Sequence, residues 1–103
     1  MVRVAFTAAA DADAAFIFDD LYTKAGKSTV IKYRAALKAL YEYLVEFPDS
    51  GAPRAKIGPK IRIGIVHPYI VIYKHTEADN TVRVLRIVYG SRKITGKLLR
   101  DIS

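Results

Sequence analysis

At 103 residues, 51% of them hydrophobic, the chain is long enough for one packed core, too short for two and too apolar for a disordered tail. It has no cysteine, which excludes a disulfide framework and a thiolate metal site, and no apolar run approaches the roughly 18–20 residues that span a bilayer. The formal charge of +7 is lopsided: residues 1–50 hold 6 Lys/Arg against 7 Asp/Glu and residues 51–103 hold 11 against 3, so the positive field belongs to the C-terminal half and calls for a nucleic acid or an acidic protein as partner.

The stretch "VRVAF" (2–6) alternates like a strand, with Val2, Val4 and Phe6 on one face. Arg3 within that alternation, and Asp11 and Asp13 interrupting the next apolar stretch, do not build a signal peptide, so a cytoplasmic chain is expected. Thr7 is placed to cap a helix in "AAADADAAFIFDDLYTKAG" (8–26), with Asp11 and Asp13 near its positive end, Lys24 near its negative end and Gly26 at its stop. Ser28 caps a second helix, "TVIKYRAALKALYEYLVEF" (29–47). There Tyr33, Leu37, Leu40, Leu44 and Phe47, spaced 4, 3, 4 and 3 apart, make one apolar stripe. "PDSGAP" (48–53) ends that helix, and the short "KAGKS" link implies an antiparallel helical hairpin.

After residue 53 the period changes to that of strands: "KIRIGIV" (60–66), "YIVIYKH" (69–75) and "TVRVLRIVY" (81–89). Turn signals at 67–68 and 77–80 are too short for anything but antiparallel pairing, which predicts a three-stranded meander. The tail "SRKITGKLLRDIS" (91–103) suits a short helix or a final strand docked by Ile94, Leu98 and Leu99. The expected architecture is α+β in the order β-α-α-β-β-β, a single domain over 1–103. Its helical hairpin packs on one face of a small, mainly antiparallel sheet whose other face is partly open.

The chemistry lies in cations set among apolar residues, where an unpaired charge is costly. Arg62 and Arg86 sit in the middle of neighbouring strand segments, and Arg83 and Arg86 are three apart, so in a regular strand they face opposite sides. Gly90 permits a sharp exit that holds Arg92 near a fixed edge. Tyr33 reads as core, whereas Tyr69 and Tyr73 suit the core and a stacking surface equally. The partner- and anion-binding set is Lys60, Arg62, Tyr69, Tyr73, Arg83, Arg86, Arg92 and Lys93. Cleaving RNA would also need an acid and a base. His67 and His75 read as solvated turn residues, Glu77 and Asp79 as loop polarity, and Glu42 and Glu46 as a wet helix face. Tyr69, Tyr73 and Tyr89 would serve only if the arginines lowered their pKa. A ribonuclease would have to rely on Arg62, Arg86, Tyr89 and Arg92. No metal and no cofactor is expected.

Three stretches resemble the RelE/ParE superfamily of bacterial toxins from type II toxin–antitoxin systems, and the ParE branch more closely. "FPDSGAPR" (47–54) is similar to the family's Pro-x-x-Gly-x-x-Arg connection. "KIRIGIVHPYIVIYKH" (60–75) is similar to its leucine-arginine segment and tyrosine-rich strand. "DNTVRVLRIVYGSRKI" (79–94) is similar to its last strand, which ends in His-Gly-x-Arg; here Tyr89 stands where the family usually has histidine. The resemblance implies a toxin that binds DNA gyrase, stabilises its cleaved-DNA state and cuts no bond itself. It also implies an antitoxin whose acidic, amphipathic C-terminal segment is disordered when free, in a hetero-oligomer commonly holding two of each chain. The alternatives are a RelE-like, ribosome-dependent mRNA endoribonuclease and a non-toxic nucleic-acid-binding or interaction module.

Overall fold

The computed structural model describes residues 2–90. Its elements in chain order are β1 (Arg3–Phe6), α1 (Ala8–Ala25), α2 (Lys27–Glu46), β2 (Ala52–Pro53), β3 (Ile61–Val66), β4 (Tyr69–Thr76) and β5 (Thr81–Tyr89). They form one five-stranded sheet in the order β1-β5-β4-β3-β2, with β1 parallel to β5 and the other pairs antiparallel. The meander of β3, β4 and β5 is as the sequence predicts. The fifth strand, β2, is an addition: Ala52 and Pro53 pair with Ile63 and Arg62 at the sheet edge, one of the few places where a proline fits a sheet. The expected tail element, with Ile94, Leu98 and Leu99, lies outside the described residues.

Thr7 joins the first strand to the first helix and ties both to β5. Its hydroxyl accepts from Ala10 N at 3.0 Å and donates to Leu85 O at 2.8 Å, and its amide donates to Val84 O at 3.0 Å. At the other end of α1 the hairpin closes through one residue. Gly26 has φ of 85° and caps both helices, so α2 starts at Lys27 and Ser28 lies inside it instead of capping it. A side chain at that φ would meet the steric cost of the left-handed region. The stripe on α2 packs as predicted along most of its length: Leu37 and Leu44 are buried and Tyr33 and Leu40 partly so, whereas Phe47 is exposed.

The helices cover one face of the sheet. Ala10, Ile17 and Leu37 meet Tyr69, Val71, Val84 and Ile87 there, and Leu44 packs on Tyr73 and Val82 further along. The other face is less open than the sequence suggests, because it carries a second cluster: Ile61, Ile63, Ile72 and Val88 are buried, with Ile57, Ile70 and Leu85 against them. Pairing between β4 and β5 also shifts by one residue. Tyr73 opposes Val84 and Ile72 opposes Arg86, which leaves Leu85 as the extra residue of a bulge.

Candidate docking surfaces

The bulge changes where the arginines of β5 lie. Arg83 pairs with Lys74 and Arg86 with Ile72, two positions apart on β4, so both occupy the same side of the sheet, in place of the opposite faces that a regular strand would give. The pairing also corrects the placement of Arg62 and Arg86 on neighbouring strands, since β4 runs between β3 and β5. Arg62 opposes Tyr73 on the helix-covered side.

Each of these three guanidinium groups meets a carboxylate of its own chain. Arg86 is held most firmly. Its Nε and an Nη donate to Asp13 Oδ2 and Oδ1 at 2.7 and 2.9 Å, with both side chains largely buried. The same Asp13 oxygen accepts the Ile87 amide at 2.9 Å. Strand β1 covers β5 only from Thr81 to Val84, so beyond that point a carboxylate from α1 takes the place of a ladder partner. Asp13 is thus a tertiary ligand of β5 more than a complement to the helix dipole. Arg62 donates to Gly51 O at 2.8 Å and lies 3.8 Å from Asp49, which braces the connection between α2 and β2. Arg83 lies 3.6 Å from Asp79 with its side chain 42% exposed, a loose surface pair of little worth. Of the expected anion-binding arginines, Arg86 is thus engaged within the chain by Asp13. Arg62 is mainly structural, and Arg83 stays accessible. Lys60 is exposed, with φ of 62° as the chain turns into β3. Arg92 and Lys93 lie outside the described residues.

Tyr69 and Tyr73 are both buried, the core placement of the two that the sequence leaves open. The Tyr73 hydroxyl accepts the Gly51 amide at 2.9 Å. A Cβ at Gly51 would run into that hydroxyl and into Ile63 O, so only glycine fits this approach. Burial pushes the phenols of Tyr69 and Tyr73 up, against the weaker downward pull of the Gly51 amide and Arg62 on Tyr73. They become poorer acids, the reverse of what RNA cleavage would ask.

Of the four ribonuclease candidates, the three that fall among the described residues, Arg62, Arg86 and Tyr89, do not converge. Arg62 opposes Tyr73 from β3, while Tyr89 opposes Tyr69 from β5. Four residues along β4 separate those positions by about 13 Å, and two strand spacings add about 10 Å across the sheet. Arg86, between them, is neutralised. His75 is not the solvated residue that its position suggests. Its side chain is only 9% exposed, with Nδ1 3.1 Å from Asp49 and Nε2 3.4 Å from Asn80 Oδ1. Asp49, His75 and Glu77 bring potential metal ligands within 4.8 Å of one another. Arg62, beside the same Asp49 oxygen, disfavours a second cation there.

A surface that the sequence does not announce lies along α1. A groove of about 750 Å³ runs between α1 and the end of β5, floored by Ile17, Tyr69 and Ile87 and walled by Phe16, Tyr33 and Tyr89. Phe16 is 72% exposed and Tyr89 54%. The aromatic floor is interlocked edge to face, Tyr33 on Tyr69 at 5.6 Å and Tyr69 on Tyr89 at 6.0 Å. Asp13, Asp20 and Lys24 also line it, with Lys24 paired to Asp20 at 3.1 Å, and Lys32 lies 5.8 Å from the Tyr33 ring centre. Its one sequence signal is in "DADAAFIFDDLY", where Phe16, Ile17 and Phe18 are consecutive, since no single helix face can bury three adjacent residues.

Comparison with known proteins agrees with this architecture. In the chromosomal ParDE TA system from P. aeruginosa, a chain with 21% sequence identity superposes with a TM-score of 0.71, covering 86% of this chain and 96% of that one. At that identity the likeness shows the fold. Among curated proteins nothing matches. A family model described as the ParE toxin of type II toxin–antitoxin system, parDE, matches residues 4–94. With a match over that much of its length, the chain belongs to the ParE toxin family.

Proposed function

We infer that this chain acts by binding: it engages DNA gyrase and holds the enzyme in its cleaved-DNA state until a cognate antitoxin covers it. The observation that carries this reading is the dispersal of the candidate catalytic groups. Arg62, Arg86 and Tyr89 are separated across the sheet, and Arg86 is neutralised by Asp13. The phenols of Tyr69 and Tyr73, the candidate acids on β4, are pushed up by burial. In-line cleavage at a 2′-hydroxyl needs an acid, a base and charge stabilisation within one small volume. Docking needs only a shaped surface, and the α1–β5 groove is one.

The antitoxin side of the reading rests on the family and on the chemistry of that groove. An amphipathic helix could lay its apolar face on Phe16, Tyr33 and Tyr89, with an acidic flank toward Lys32 beside Tyr33. A segment that is disordered when free suits such a site, because it folds on contact and covers a wide surface.

The deciding experiment adds the purified chain to a gyrase supercoiling reaction and, separately, to a translating ribosome. Accumulation of cleaved DNA with intact mRNA is the expected result. Codon-dependent mRNA cleavage without DNA cleavage would replace this reading with the RelE-like one.

A further inference from the structure

Between Asp49 and Glu77 the chain has no carboxylate, yet it carries Arg54, Lys56, Lys60, Arg62 and Lys74. Arg62 is used internally, against Gly51 O and Asp49. Three of the remaining cations, Arg54, Lys56 and Lys60, fall in the connection between β2 and β3, and all three residues are exposed. That connection is held from within. Arg54 N donates to Ile61 O at 2.8 Å, Ile57 N donates to Arg54 O at 2.9 Å, and Ile57 turns inward against the cluster of Ile61, Ile63, Ile72 and Val88. Its one large apolar side chain is therefore used largely for anchoring, and the exposed residues are Arg54, Ala55, Lys56, Pro59 and Lys60. The Arg54 guanidinium donates to the neighbouring Pro53 carbonyl at 2.9 Å, a local bond that leaves its charge unanswered by any acid of this stretch.

We propose that the β2–β3 connection is a contact site for the phosphates of duplex DNA. Two features choose this ligand. An acidic amphipathic peptide needs an apolar anchor among the charges, and the one large apolar side chain of this connection, Ile57, is partly buried against the cluster beneath it. Single-stranded nucleic acid needs aromatic platforms for its bases, and residues 54–60 contain none, while Tyr69 and Tyr73 are buried. A duplex presents one negative charge about every 1.7 Å along its axis and asks only for exposed cations that neutralise its phosphates. The site lies at the β2 edge of the sheet, away from the α1–β5 groove, so it does not compete with docking there. It is also independent of which enzyme the chain acts on.

The test is fluorescence anisotropy of the full chain with a short labelled DNA duplex, titrated from about 50 to about 200 mM salt. Wild type is expected to bind with a negative slope of log K against log salt. Replacing Arg54, Lys56 and Lys60 together by Gln should make that slope shallower by about 2 to 3, about 0.9 for each phosphate no longer neutralised. Replacing Arg3, Lys27 and Lys38 by Gln removes the same charge from exposed positions outside the connection and should leave the slope unchanged. Thermal melting of both variants should match wild type. No salt-dependent binding by wild type overturns the proposal. So does an equal reduction of slope in both variants, which would mean that net charge alone attracts the DNA. A loop variant that keeps its DNA slope but binds polyglutamate more weakly also overturns it, in favour of an acidic protein.

Discussion

Asp13 satisfies two donors from β5, the Arg86 guanidinium and the Ile87 amide, within a largely buried setting. Removing one partner of such a pair leaves a buried charge unanswered. Asp13→Ala should therefore lower the unfolding free energy by about 3–5 kcal/mol in urea titration, and replacing both partners by apolar residues should cost less than the two single changes summed. Gly51→Ala meets a different obstacle, the Tyr73 hydroxyl and the Ile63 carbonyl. A loss of about 1–3 kcal/mol is expected, with part regained when Tyr73→Phe removes the hydroxyl. Tyr41 gives a pH signature. Burial, with Asp11 nearby, pushes its phenol from 10.0 up to about 12. Below pH 10 both folded and unfolded chains hold the proton and stability is flat. Between pH 10 and 12 the unfolded chain releases it first, so stability should fall with rising pH, and Tyr41→Phe should lessen that fall, the raised phenols of Tyr69 and Tyr73 keeping the rest.

Among the elements, the helical hairpin depends on the single joint at Gly26, where φ of 85° suits glycine and strains any residue with a Cβ. Gly26→Ala should cost about 1–2 kcal/mol, read as a Tm lower by roughly 4–16 °C for a domain of this size. The hairpin and the three-stranded meander were legible in the sequence because each is set by local period: 3–4 spacing on Tyr33, Leu37, Leu40 and Leu44, and β-branched runs bounded by turns. Strand β2 was not, since two residues including Pro53 carry no periodicity and pair only because the α2–β2 connection is pinned by Arg62 and Tyr73. The bulge at Leu85 was hidden for a related reason: "VRVLRIVY" reads as a strand with or without an extra residue, and only pairing with β4 and the clasp of Asp13 on Arg86 and Ile87 reveal it.

At the scale of the whole molecule, the aromatic groove and the cations of the β2–β3 connection lie at different places on the sheet. The aromatic groove follows α1 and the end of β5, and the carboxylate-free cations lie at the β2–β3 edge. A docking helix should therefore be sensitive to the first and not to the second. Phe16→Asp or Tyr89→Asp is expected to weaken antitoxin binding by about 2 kcal/mol or more, roughly 30-fold, in calorimetric titration with Tm little changed. Phe16 is 72% and Tyr89 54% exposed, so Phe16→Asp is the cleaner of the two, since Tyr89 also stacks edge to face on Tyr69.

Taken alone, the sequence determined the α+β layout, the helical hairpin, the lopsided charge and the resemblance to ParE-type toxins, because hydrophobic period, turn residues and motif order are properties of neighbours along the chain. Tertiary structure decided what each charge and ring does. Asp13 and Arg86 are 73 residues apart in sequence yet bonded, Tyr69 and Tyr73 are core, and Phe16 forms the wall of a groove. Whether a cation is free or answered depends on which distant carboxylate the fold brings to it, and only the three-dimensional pairing of strands and helices specifies that.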